Sequence, residues 1–115
     1  MSWDEVRAIV AALPGATEGT SYGTPSFRVG RKFLTRLRED GETLVIPLAS
    51  LDERDALIEG APEIYFTADH YRDWPSVLLR LPQAEPEHVA GLLKQAWRRA
   101  AGKRLLASYD AREGA

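Results

Sequence analysis

The sequence predicts an α+β fold in two layers, an antiparallel sheet with helices packed on one face. Three observations predict it. Apolar residues recur at helical spacing near both ends of the chain. Short β-branched and aromatic runs lie between them, separated by turn residues. Asp40-Gly41 falls between two such runs, a strong short-range hairpin signal. The resulting order, a helix, a strand meander, a helix, strands and a helix, is that of helices laid on one side of an antiparallel sheet. At 115 residues, one domain spanning 1–115 is expected.

Ser2-Trp3-Asp4-Glu5 has the form of a capping box, and Val6, Ile9, Val10 and Leu13 follow at helical spacing, so the first helix is expected at 3–13. Pro14-Gly15 stops it. Residues 16–25 are rich in Thr, Ser, Gly and Pro, and predict a short edge strand or turn. Strands are expected at 26–29, 33–39 and 42–48. A two-residue turn at Asp40-Gly41 pairs Leu37 with Leu44 and Thr35 with Ile46, and sets Arg36 opposite Val45. For the preceding hairpin, a two-residue turn would set Arg28 against Phe33, mixing core and charge. A three-residue loop, Gly30-Arg31-Lys32, pairs Val29 with Phe33 and Phe27 with Thr35, and is preferred. One sheet face then carries Phe27, Val29, Phe33, Leu37, Leu44 and Ile46. The other carries Arg28, Leu34, Arg36, Arg38 and Val45 and is expected to be wet.

Ser50-Leu51-Asp52-Glu53 is a second capping box, opening a helix to about Glu59. Ile64–Thr67 reads as a strand, Asp69–Pro75 as a polar and aromatic turn or short helix, and Val77–Leu81 as another strand. Pro86 suits a first helical turn, and Val89, Leu92, Leu93, Ala96, Trp97 and Ala100 extend an amphipathic pattern to about 101. Lys103–Tyr109 is expected to form a final short helix, and Asp110–Ala115 a frayed tail.

Composition narrows the function classes. The chain is 44% hydrophobic and 28% charged, the balance of a soluble protein. No apolar run reaches the roughly 20 residues of a membrane span, and no leader pattern is visible, so the cytoplasm is the expected location. The absence of cysteine excludes disulfides, thiolate metal sites and a cysteine nucleophile. There is no phosphate loop, no dinucleotide fingerprint and no serine elbow, so no enzyme is expected.

The net charge is -2, against the basic total of a typical nucleic-acid binder. The distribution is uneven. Ten of the fifteen basic residues fall in two acid-free windows: Arg28, Arg31, Lys32, Arg36 and Arg38, then Lys94, Arg98, Arg99, Lys103 and Arg104. Such windows either bind an anionic partner or serve as solvated faces. His70 lies beside Asp69 and near Asp73, which suits a base, a metal ligand or a loop-holding hydrogen bond. His88 is expected to be exposed. Tyr22, Thr24, His70, Tyr71 and Trp74 form a second candidate cluster, lining a pocket or packing together.

Four blocks together resemble the MmcQ/YjbR-like family of small bacterial proteins. They are Leu13-Pro14-Gly15; Ser21-Tyr22-Gly23-Thr24-Pro25-Ser26-Phe27-Arg28-Val29-Gly30-Arg31-Lys32-Phe33; Asp69-His70-Tyr71-Arg72 with Trp74-Pro75; and Lys103–Tyr109. The resemblance implies a fold similar to CyaY and frataxin, and DNA binding in which strand-loop wings contact the duplex. Frataxin-like iron binding would need an acidic ridge on the first helix. Only Asp4 and Glu5 are offered there, both explained by capping and the helix dipole, so no metal or cofactor is expected.

Two functions are therefore expected to compete. In one, Arg28, Arg31, Lys32, Arg36 and Arg38, with Arg98, Arg99, Lys103 and Arg104 as a second patch, contact DNA phosphates with little sequence specificity. In the other, a pocket near Tyr22, Thr24, His70, Tyr71 and Trp74 takes a small molecule or a protein partner.

Overall fold

A computed structural model describes residues 1–113, beginning with the expected cap. The Ser2 hydroxyl accepts from the Glu5 amide at 3.4 Å, and the Glu5 carboxylate accepts from the Ser2 amide at 3.3 Å, satisfying two orphan donors of helix α1 (Trp3–Ala11). Val6 and Val10 bury one face. The helix stops short of the expected Leu13, whose amide makes a tightened bond to the Val10 carbonyl. Gly15 follows at φ +77, a conformation that glycine adopts without strain. A side chain there would also meet Leu105 Cδ2 at 2.8 Å, so this turn lies close against the last helix.

Six strands form one antiparallel sheet: β1 (Ala16–Ser21), β2 (Thr24–Val29), β3 (Lys32–Leu37), β4 (Thr43–Pro47), β5 (Tyr65–Phe66) and β6 (Ser76–Arg80), in the order β1-β2-β3-β4-β6-β5. The segment read as a short edge strand or turn is a full edge strand, joined to β2 through Tyr22-Gly23. Both turn residues have positive φ, as a twist-matched two-residue turn requires.

The β2–β3 hairpin corrects the expected register. Its turn holds two residues, Gly30 and Arg31, with Val29 paired to Lys32 and Arg28 to Phe33. Farther on, Phe27 pairs with Thr35 as expected, so Leu34 is an extra residue, a β-bulge. The bulge reverses the alternation. Leu34 is fully buried in the core, and Phe33 moves to the face that carries Arg28, the opposite of the expected assignment. The rejected mixture of charge and ring is thus present, on the open face rather than in the core.

Between β3 and β4 the expected pairs Leu37–Leu44 and Arg36–Val45 form. The ladder stops there instead of continuing to Thr35–Ile46, and the Thr35 hydroxyl donates to the Val45 carbonyl at 2.6 Å. The turn is wider than two residues because Asp40 organises it. Its carboxylate accepts from the amides of Glu42 and Thr43 and from the Thr43 hydroxyl.

Helices α2 (Leu51–Gly60), α3 (Pro86–Ala100) and α4 (Lys103–Glu113) join α1 on one side of the sheet. Ser50 caps α2 as expected, but the Glu53 carboxylate reaches the Ala49 amide rather than that of Ser50. The core lies between the layers. Phe27, Val29, Leu34, Leu44 and Ile46 meet Val89, Leu93 and Trp97 of α3. Trp97 is wholly buried, and its indole N–H donates to the Pro14 carbonyl at 2.8 Å. Helix α4 buries no residue fully; it docks through Leu105, Leu106 and Tyr109, whose ring sits 4.7 Å from that of Trp97. Asp110, expected in a frayed tail, is helical and pairs with Arg98 at 2.9 Å. Residues 114–115 lie outside the described residues. Among the described residues, no helix is long and apolar enough to cross a membrane.

A candidate binding recess on the open sheet face

The face of the sheet opposite the helices carries a recess of about 760 Å³, within the size range of ligand sites. Its floor is built from Arg28, Phe33, Arg36 and Val45 on β2, β3 and β4. Its rim comes from two connections, Tyr22 of the β1–β2 turn and residues 70–75 before β6. Arg28, Arg36 and Arg38 of the basic window and Tyr22, His70, Tyr71 and Trp74 of the aromatic cluster, read from the sequence as alternatives, therefore line one cavity, while Arg31, Lys32 and Thr24 are not on its lining.

Arg36 lies at its centre and is 8% exposed. One guanidinium nitrogen donates to the Thr24 hydroxyl at 3.2 Å, the other to the Tyr71 hydroxyl at 2.9 Å. Its charge lies 5.2 Å from the Tyr22 ring centre and 3.6 Å from the Glu39 carboxylate. A buried guanidinium held this way keeps its orientation and ties β3 to both rims. It is consequently not the free phosphate contact expected for it. Thr24 is likewise buried; its hydroxyl donates to the Ser21 carbonyl at 2.8 Å and fixes Arg36 rather than facing solvent.

Arg38 is half-buried, 5.7 Å from the Tyr71 ring centre, and its Nε is a buried donor with no partner among the described residues. Arg28, Arg31 and Lys32 are exposed; Arg28 lines the recess, and the other two stand at the β2–β3 turn. Glu39 is the one acid on the lining. Its own backbone amide, then Arg36 and Arg38, hold its carboxyl below the usual range.

The rim loop is pinned from behind. Arg54 of α2, itself 8% exposed, donates to the Arg72 carbonyl at 2.6 Å, and the Leu48 amide donates to the Pro75 carbonyl. Asp69 accepts from Arg72 at 2.7 Å. The loop-holding bond considered for His70 is absent among the described residues; its exposed ring stands edge-on to Tyr71 at 5.6 Å. Trp74 is 66% exposed and Tyr22 86%. His88 is exposed, as expected.

The second basic window does not join this face. It belongs to α3 and α4, in the helical layer across the sheet. Arg98 is engaged by Asp110, Arg99 donates to the Pro47 carbonyl at 3.0 Å, and Lys103 and Arg104 are exposed. Val45 lines the recess on the face expected for it, whereas Phe33, Glu39 and Ser76 line it without having been expected there. Phe33 was hidden by the bulge, and the others carry no local motif. A second recess of about 750 Å³ lies between α2 and α3, lined by Leu57, Ile64, Leu92 and Tyr65 with Glu63, Glu85, Glu87 and His88. Burial, and then the nearby Glu85 charge, push the Tyr65 phenol up. Among the described residues, no group of three or more His, Asp or Glu side chains is placed to hold a metal ion.

A family model described as YjbR matches residues 11–99. The uncharacterized proteins Mb2600 of Mycobacterium bovis and Rv2570 of Mycobacterium tuberculosis are each 32% identical to the chain over 98% of both lengths. The crystal structure of Deinococcus radiodurans protein DR2400, which carries a domain described as DUF419, superposes with a TM-score of 0.74. That match is 17% identical and covers 98% of this chain and 88% of that one.

Proposed function

The chain belongs to the YjbR family, and from that premise we propose that it is a nucleic-acid-binding protein, with DNA as ligand and the open sheet face as contact surface. The observation that carries the reading is the convergence on one helix-free face of the exposed Arg28 and the half-buried Arg38, with Arg31 at the adjoining β2–β3 turn, around a recess rimmed by exposed aromatic rings. Cations supply the phosphate contacts, which dominate affinity and carry no sequence information. Little sequence specificity follows. In this reading the protein binds and does not catalyse, and the helical basic window contributes little because it faces away and is partly engaged. A local basic face acts in this way even on a chain of net charge -2.

Fluorescence anisotropy with labelled DNA at about 50 and 200 mM salt tests this, since phosphate-dominated binding falls steeply across that range. Salt-sensitive binding is expected in the wild type and in an Arg98/Lys103/Arg104→Ala variant. It is expected to be lost in Arg28/Arg31→Ala, whose substituted side chains are exposed. No binding at the lower salt would overturn the reading.

One observation favours a second reading. Arg36 is already fixed by Thr24 and Tyr71 inside a cavity of small-ligand size. A free anionic small molecule carrying a flat ring would fit the same chemistry. It would raise the melting temperature with a dependence on ligand concentration.

A further inference from the structure

We propose that the recess takes an unstacked base of a single-stranded nucleic acid, with Tyr22 and Trp74 as stacking faces and Arg28, with Arg31 at the adjoining turn, as the backbone track. This rests on the nucleic-acid reading above and narrows it to strands whose bases are free.

The first support is the backbone of Tyr22. Its φ of 54 makes it the one non-glycine residue with positive φ among the described residues, in a turn position that Asn, Asp or Gly would fill with less strain. A large side chain in a strained position is ordinarily repaid by burial, yet this ring is 86% exposed. What the position achieves is to stand an aromatic face over the recess, with the Arg36 guanidinium 5.2 Å from the ring centre. Local strain of this kind concentrates at ligand sites.

The second support is Trp74. It is 66% exposed, but the loop that carries it is anchored by the buried Arg54 and by the Leu48–Pro75 bond, so the exposed ring sits on a fixed support. Tyr22 and Trp74 are two of the three large hydrophobic side chains left exposed among the described residues, and both line the recess. Base–aromatic stacking is tolerant of sequence, matching a surface without a base-reading element.

The third is Arg38. It lines the recess, and its Nε is a buried donor without a partner among the described residues. A base carbonyl or a phosphate oxygen in the recess would satisfy it.

A duplex meets these features poorly. Its base faces are stacked on one another, so Tyr22 and Trp74 would have no face to receive, and only the cation track would be used. A single strand presents phosphates to the cations and a free ring to the recess together.

The test compares a single-stranded DNA of about 12 nucleotides, an RNA of the same sequence, the matching DNA duplex and free adenosine monophosphate. All are bound to the wild type, to Tyr22→Leu/Trp74→Leu and to Tyr22→Phe/Trp74→Phe. Both positions are exposed, so these variants keep the core intact. The single strands are expected to bind at least about tenfold more tightly than the duplex. The leucine variant is expected to lose about tenfold for single strands with an unchanged salt slope, while the phenylalanine variant retains binding. The DNA and RNA arms show which sugar is preferred. Duplex binding as tight as that of the single strand, or full binding by the leucine variant, overturns this inference and leaves the broader reading standing. Adenosine monophosphate binding as tightly as the oligomer overturns it in favour of a free ligand. Absence of binding to every strand overturns both.

Discussion

At the scale of single residues, Tyr22 sets stability against use. A non-glycine residue held in the left-handed region carries a penalty of about 1 kcal/mol, which Asn largely avoids. Tyr22→Asn is therefore expected to stabilise the fold by about 1 kcal/mol in chemical denaturation, while weakening any ligand that stacks there. A variant no more stable than the wild type would show that the Tyr22–Arg36 contact outweighs the backbone strain. Arg36 illustrates how burial changes a role: the same guanidinium that reads as a free phosphate contact in the sequence becomes, between Thr24 and Tyr71, a strut that shapes the recess.

At the scale of elements, local chemistry was readable wherever one side chain decides the backbone. Ser2 and Ser50 start helices, and the Asp40-Gly41 signal sets the pairing of Arg36 with Val45. The reading failed where two local preferences collide. Gly30-Arg31 makes a two-residue turn, and Phe27 pairs with Thr35; both hold only if Leu34 is extruded. Nothing in Phe33-Leu34-Thr35 marks which residue will be the extra one, so the faces of Phe33 and Leu34 were exchanged. The convergence of Tyr22, Arg36 and Tyr71 was unreadable for another reason: it depends on the rim loop crossing back over the sheet. Helix α4 gives the prediction at this scale. It rests on half-buried Leu105, Leu106 and Tyr109 and buries nothing completely. Tyr109→Ala is expected to accelerate amide hydrogen exchange across 103–113 while leaving the protection of β3 and β4 intact. Equal acceleration in the sheet would mean that α4 unfolds only with the whole chain.

At the scale of the whole molecule, charge is divided between the two faces. Each basic window has one ion-paired member, Arg36 with Glu39 on the sheet and Arg98 with Asp110 in the helical layer, so exposed cations remain on both sides of a chain of net charge -2. Paired carboxylates also set the response to acid. The bond from Arg7 holds Glu18 below its usual range, the Thr43 hydroxyl does the same for Asp40, and Arg98 for Asp110. A carboxyl whose folded pKa is depressed adds stability above its unfolded value, and that stability is lost as pH falls through the folded value. The melting temperature is thus expected to be flat near neutrality and to fall below about pH 4. The contributions of Glu18 and Asp110 are screened by salt, while Asp40 acts through short hydrogen bonds inside its turn. Asp40→Asn should accordingly flatten the acid limb even at high salt, and an unchanged limb would remove Asp40 from this account.

The strand order has a kinetic consequence. After β4 the chain builds α2, lays β5 at the far edge and only then returns to insert β6 between the two. The segment that carries His70, Tyr71 and Trp74 is the return path itself. A chain ordered only through β4 would present Arg28 and Arg36 with half a rim, so the recess is complete only once the segment before β6 has returned across the sheet. A ligand that needs both rims therefore grips the finished protein alone. It holds back unfolding while leaving the rate of folding untouched.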